Sequence, residues 1–181
     1  MDFIQIDRDK ANRLINHGPT ILVTARHEER ANLMTAAWCM PVSKKPPMLA
    51  VAIGPSRFTH DLIIESKEFT VCIPGRDLAE QVMCCGTTSG RSGKDKFAFC
   101  GLTTVAGEKT QAPLVGECLG ALECRLEAHP TVGDHSIVIG EVLAVWVKPE
   151  IFDERFQVEA APTLHHLGGR EFCLPGPVIK A

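Results

Sequence analysis

Apolar positions along the chain fall mainly into short runs of strand length, each stopped by glycine, proline or charge. Thr20-Ile-Leu-Val-Thr-Ala25, Met48-Leu-Ala-Val-Ala-Ile53 and Glu68-Phe-Thr-Val-Cys-Ile73 predict three strands. A longer pair follows. Leu119 to His129 alternates apolar with polar, Thr131-Val-Gly-Asp134 turns, and Ser136 to Val147 returns, which predicts a hairpin with Gly133-Asp134 at its tip. Helical spacing is rarer. Asp7 to His17 sets Ile6, Ala11, Leu14 and Ile15 on one face, with Asp7 as N-cap. Ser56 to Ser66 carries Phe58, Leu62 and Ile63 behind a Ser56 cap, and Asp77–Cys85 and Lys94–Cys100 predict two more short helices.

Strands do not alternate with long helices, which disfavours a doubly wound parallel sheet. Many short strands with few helices predict a mainly β fold, a closed barrel with peripheral helices. With no repeat, low-complexity stretch or linker, residues 1–181 read as one domain. An apolar content of 45% and a mean hydropathy of +0.04 describe an ordinary globule. No run approaches the roughly 18 apolar residues of a membrane-spanning helix. Met1-Asp-Phe-Ile-Gln5 lacks the marks of a secretory signal, so a cytoplasmic protein is expected.

The net charge of −3 argues against a sequence-independent grip on nucleic acid. The basic cluster Arg91, Lys94 and Lys96 suits one phosphate better than a polyanion. Eight cysteines, mostly inside apolar runs, are expected as free thiols. Neither Cys-x-x-Cys nor His-Glu-x-x-His occurs, so no metal site is expected. The adjacent pair Cys84-Cys85 would point to different faces of a helix, which disfavours a thiol- or metal-binding regulator.

Three segments offer chemistry. In Asn32-Leu-Met-Thr-Ala-Ala-Trp38, the small Ala36 and Ala37 leave room for a ligand against a strand, and Asn32 and Thr35 offer hydrogen bonds. The same run also reads as an edge strand after the turn at Glu28-Glu29-Arg30. Gly54-Pro-Ser-Arg-Phe-Thr59 opens a helix whose free N–H groups suit a phosphate, with Ser56, Arg57 and Thr59 adding donors. A plain helix cap explains it equally well. Ser89-Gly-Arg-Ser-Gly-Lys-Asp-Lys-Phe97 is a cationic glycine loop, although it lacks the spacing of a phosphate-binding Walker loop, and its composition equally suits a solvated surface loop.

In their order, these segments resemble the flavin reductase-like family, especially its flavoredoxin branch. Pro46-Pro-Met-Leu-Ala-Val-Ala-Ile53, Glu68-Phe-Thr-Val71, Asp95-Lys-Phe97, Gly101-Leu-Thr103 and Gly133-Asp-His135 extend the match from about Pro19 to Trp146. The resemblance implies a Greek-key split barrel, usually a homodimer, holding FMN non-covalently near the subunit interface. It implies Asn32, Met34, Thr35 and Trp38 around the isoalloxazine and ribityl chain, against the small Ala36. Gly54, Ser56, Arg57 and Thr59 would stand at the ribityl-phosphate end, with Lys96 and Ser92 approaching from the loop. One extra residue between Arg91 and Asp95 leaves open whether Lys94 or Lys96 meets the phosphate. The Gly-Asp-His turn nominates His135 beside a nicotinamide. The chain has no tyrosine, and His165, His166 and Phe172 fill the stretch where relatives place an aromatic; the two histidines read either as part of the pocket lining or as exposed loop residues.

Flavin carries its own redox chemistry, so no side chain is assigned as catalytic. Two functions remain. One is an NAD(P)H-dependent flavin reductase, with FMN as cofactor or exchanged substrate. The other is a flavoredoxin-like carrier relaying electrons between protein partners. A carrier must keep its flavin, and Gly133-Asp-His135 leans toward the enzyme.

Overall fold

The computed structural model describes residues 5, 7–15 and 18–180. Seven strands build the main sheet: β1 Ile21–His27, β2 Arg30–Ala36, β3 Cys39–Lys44, β4 Pro47–Ile53, β5 Glu68–Ile73, β6 Gly120–Ala128 and β7 His135–Val147. They lie in the order β2-β1-β5-β6-β7-β4-β3, every pair antiparallel. Thr131–Val132 adds a short pairing to the start of β7. β5 matches its sequence reading residue for residue, and β6–β7 is the expected hairpin, with Gly133 at φ 64° in its turn.

The order has a geometric consequence. β2 and β3 are the two outermost strands, yet only Ala37 and Trp38 separate them in the chain. Three residue steps reach at most about 11 Å, whereas seven strands laid flat would put those edges about 29 Å apart. The sheet therefore has to roll until its edges meet. No strand ladder joins β2 to β3, so the barrel is closed by the chain itself and stays split along that seam.

Alternation fills two cores. Ile21, Val23 and Ala25 of β1 pack with Val51, Ile53, Phe69, Val71 and Val138. Leu22, on the opposite face of the same strand, joins Leu33, Cys72, Val82, Phe97 and Leu164. Burial on both faces is why β1 reads as an unbroken apolar run. Gly140 is needed where β7 crosses Phe69, because a Cβ there would collide with the ring.

Helices cover the sheet. The segment predicted as a helix over 7–17 is a 3₁₀ turn, Arg8–Lys10, running into α1, Ala11–Ile15; Ile6 and His17 lie outside the described residues. α2, Phe58–Ser66, buries Leu62 and Ile63 in the first core. Ser56 does not cap it. The chain turns at Gly54, whose carbonyl accepts from Arg57 N–H, so Arg57 becomes the N-cap and no side chain occupies the helix start. α3, Ala79–Thr87, and α4, Lys96–Phe99, pack Val82, Cys85 and Phe97 into the second core. Asp95 caps α4, accepting from the N–H groups of Phe97 and Ala98. Among the described residues, no helix is long and apolar enough to cross a membrane.

One strand escapes the sequence reading, and a further expectation changes. β3 was not legible as a strand, since Pro41 interrupts it; an edge position tolerates that proline. The cysteines are not all free: Cys84 and Cys100 form a disulfide, because α3 and the end of α4 meet in the second core, and six cysteines remain as thiols.

A buried carboxylate ties the loop before β6 to the end of β7. Glu123 is fully buried and accepts from the N–H groups of Glu108, Lys109 and Thr110 at 3.1, 2.8 and 2.8 Å, and from Trp146 Nε1 at 2.8 Å. Burial alone would raise its pKa, but these donors outweigh it and hold the carboxyl below the ordinary value. Its stabilising effect is therefore complete above the unfolded pKa near about 4.3 and drains as pH falls through the lower folded value. Glu123→Gln should cost about 1–3 kcal/mol at pH 7. Denaturant midpoints should show that gap narrowing as the pH is lowered from 7 toward 3; an equally stable variant at pH 7 would refute the assignment.

Candidate functional site

The seam between β2 and β3 opens into a cleft of two joined cavities. The first, about 230 Å³, takes Asn32, Met34 and Thr35 from β2, Ser56 to Thr59 from the start of α2, and Cys85 to Arg91 from α3 and its following loop. Lys96 closes it. The second, about 280 Å³, shares Met34, Thr35 and Arg57 with the first and adds Ala36, Trp38, Gly54, His135 and His166.

The first cavity is built for an anion. Lys96 is only 4% exposed, and among the described residues no carboxylate pairs with it. Burial holds its ammonium below the ordinary lysine value, and the nearby Arg57 guanidinium acts in the same direction. A buried cation beside a second cation and an uncapped helix start is costly unless an anion arrives. The loop is pinned over this end by Arg91, which pairs with Asp61 of α2 and lies 5.3 Å from the Phe58 ring centre. Burial pushes the Cys85 thiol up to about 11, so it lines the wall as a neutral group.

Side chains expected to face a ligand are partly spent on one another. Asn32 Nδ2 donates to Thr59 Oγ1 at 2.8 Å, locking β2 to α2 in a buried contact. Thr35 Oγ1 donates to the Val82 carbonyl at 2.6 Å, locking β2 to α3. Gly90 runs so close to the Asn32 amide that a Cβ there would lie 2.6 Å from it.

The second cavity is flatter in chemistry. Trp38 and His135 bring their rings to 4.9 Å. His135 Nδ1 donates to Asp134 at 2.7 Å, which orients the imidazole and holds the Asp134 carboxyl below its usual range. His166 comes from the C-terminal hairpin of β8, His165–Gly168, and β9, Glu171–Cys173. Its Nε2 donates to the Gly169 carbonyl at 3.2 Å, and its ring lies 5.3 Å from that of Phe172.

The structure thus gathers Asn32, Met34, Thr35, Ala36, Trp38, Gly54, Ser56, Arg57, Thr59, Lys96 and His135 around one cleft. Ser92 stays outside the lining and exposed, and Ser89, Gly90 and Arg91 take the place expected for it. Lys94 stands 4.3 Å from the Phe99 ring centre and does not line the cavity, whereas Lys96 does. Neither histidine is a free loop residue: His165 bonds Thr163, and His166 enters the cavity wall. Cys85 to Thr88 were also missed, since their signal was only that of a short amphipathic helix.

The cleft lies at the seam of a split antiparallel barrel, and that architecture has known relatives. A model of the flavin reductase like domain matches residues 13–171, and the chain belongs to that family. The uncharacterized protein YddH of Escherichia coli strain K12 is 38% identical, with 99% of this chain and 98% of that protein covered. Among solved structures, the FMN-binding domain of a flavin reductases-like enzyme from Shewanella baltica OS155 superposes with a TM-score of 0.84 at 29% identity, covering 97% and 95% of the two chains. Flavoredoxin of Desulfovibrio vulgaris (Miyazaki F) gives 0.82 at 30% identity, covering 91% and 90%. The fold is that of the FMN-binding split barrels.

Gly90→Ala should displace Asn32 from Thr59 and lower stability by about 1–3 kcal/mol. Gly176, with open space around it, supplies the control. Thermal unfolding in which Gly90→Ala and Gly176→Ala behave alike would show that the close approach does not constrain the site.

Proposed function

We propose that this chain binds FMN across the two joined cavities and acts as an NAD(P)H-dependent flavin oxidoreductase. The residues fit the group. The unpaired Lys96 ammonium, Arg57 and the uncapped start of α2 suit the phosphate, and the second cavity between Ala36, Trp38 and Gly54 suits a flat ring. When bound, FMN would supply the hydride- and electron-accepting chemistry.

The chain's own part is to bind and orient. Lys96 and Arg57 would neutralise the phosphate. Asn32, Thr35 and Thr59 hold β2, α2 and α3 in register around it. The observation that carries the enzymatic reading is that Trp38, His135 and His166 share the wall of the second cavity, where a nicotinamide would meet the flavin. His135, fixed through Asp134, would position a nicotinamide there, with no proton transfer required of it.

A carrier that relays electrons between protein partners is the second reading, favoured by the likeness to flavoredoxin. We also propose a homodimer. The edge strand β3 leaves Met40 and Val42 exposed beside a groove of about 430 Å³ lined by Ala37, Trp38, Ala50 and Ile137, and a second copy would cover it. Sedimentation should then give twice the chain mass; a monomer at micromolar concentration would argue against it.

The visible spectrum of the freshly purified protein should show flavin bands, and one of NADH or NADPH, added without oxygen, should bleach them rapidly. Bands that neither nucleotide bleaches would transfer the assignment to the carrier. A colourless protein that takes up no added FMN would defeat both readings. Lys96→Met should weaken FMN binding by about tenfold or more, the loss of one charge-assisted contact.

A further inference from the structure

The disulfide lies where it can act on the ligand. Cys84 sits in α3 and Cys100 directly follows α4, so the bond closes the segment 84–100 into a loop. Thr87, Thr88, Ser89, Arg91 and Lys96, all in the wall of the first cavity, belong to that closed loop. Cys84 Sγ is also 3.9 Å from Thr88 Oγ1, which joins the bond to the wall directly.

Apart from the Arg91–Asp61 pair and the Asp95 cap, the segment has few internal ties. α4 is four residues long, too short to be stable by itself. Gly90 and Gly93 add backbone freedom, and the stretch from Arg91 to Asp95 is exposed. What fixes the two ends is the packing of Val82, Cys85, Phe97 and Leu102, and the disulfide. The first anchors the fold; the second shortens the span that the cavity wall can explore.

We propose that Cys84–Cys100 is a thiol–disulfide site that sets how tightly the loop grips the phosphate end of the bound ligand. This rests on the FMN reading above. The reductant is a dithiol. Cys100 is 6% exposed and Cys84 half-buried, so the incoming thiolate attacks Cys84 Sγ. A new sulfur–sulfur bond forms to Cys84, the Cys84–Cys100 bond breaks, and the Cys100 sulfur leaves with the electron pair and takes a proton. The second thiol of the reductant then displaces Cys84, which takes the other proton, and the reductant departs as its own disulfide. Two electrons and two protons have moved, and the loop is open. FMN binding must then order the largely exposed stretch from Thr87 to Asp95 over the phosphate end, a cost that the closed loop has already met.

Alkylation in denaturant tests the bond first. Protein purified in air should show six reactive cysteines, rising to eight after dithiothreitol. FMN affinity, read from the fluorescence of flavin released on dilution of the holoprotein, should fall by about tenfold on reduction. Far-UV circular dichroism should stay unchanged, and reoxidation should restore the affinity. Cys84→Ser should bind as the reduced protein does without any reductant; if it does not fold, dithiothreitol-treated native protein carries the comparison. Eight reactive cysteines before reduction, or equal affinity in both states, would overturn the proposal while leaving FMN binding intact. Oxidised protein that binds no FMN would instead overturn the flavin reading, and this site with it.

Discussion

The two-residue junction Ala37-Trp38 governs the rest of the molecule. Because the outermost strands of the sheet are consecutive in the chain, the sheet has no flat alternative, and its two edges must face each other across a gap. A barrel closed by hydrogen bonds would have buried that gap. One closed by the backbone leaves it open, with main chain and small side chains at its rim. The cleft is therefore a product of connectivity before it is a product of side-chain choice.

Around that gap the sequence places charge and packing in separate halves. The cationic half is assembled from three elements distant in the chain: the start of α2, the loop after α3 and the first residue of α4. Each is weak alone, and they gain meaning only because Asn32–Thr59 and Thr35–Val82 draw α2 and α3 onto the same strand. The aromatic half borrows His135 from the tip of the long hairpin and His166 from the C-terminal hairpin. Bridges from Pro19 to His165 and from Gly75 to Thr163 hold that last hairpin against the barrel.

Much of this was legible in the sequence. Strand period gave β1, β4 and β5, and Gly133-Asp134 gave the turn of the β6–β7 hairpin, because each is decided by local pattern and burial. What escaped is what depends on distant contacts. β3 has no clean alternation and carries Pro41, so only its place at the sheet edge reveals it. Ser56 looked like a cap by type and position, but the turn at Gly54 moved the helix start one residue on. The lysines differ because Asp95 starts α4 between them, which buries Lys96 as its first residue and leaves Lys94 outside on Phe99. The pairing of Cys84 with Cys100 required knowing how α3 and α4 pack, which neither segment states by itself.

Trp38 has one more consequence. Its ring belongs to the wall of the second cavity and also to the apolar groove on the other side of the seam. The same indole presents one face of itself to each space. A shift of that ring toward one side would alter the other, and any coupling so produced would run equally in both directions. The outer face of this barrel and the cleft inside it thus have a wall in common, with the indole as its largest side chain.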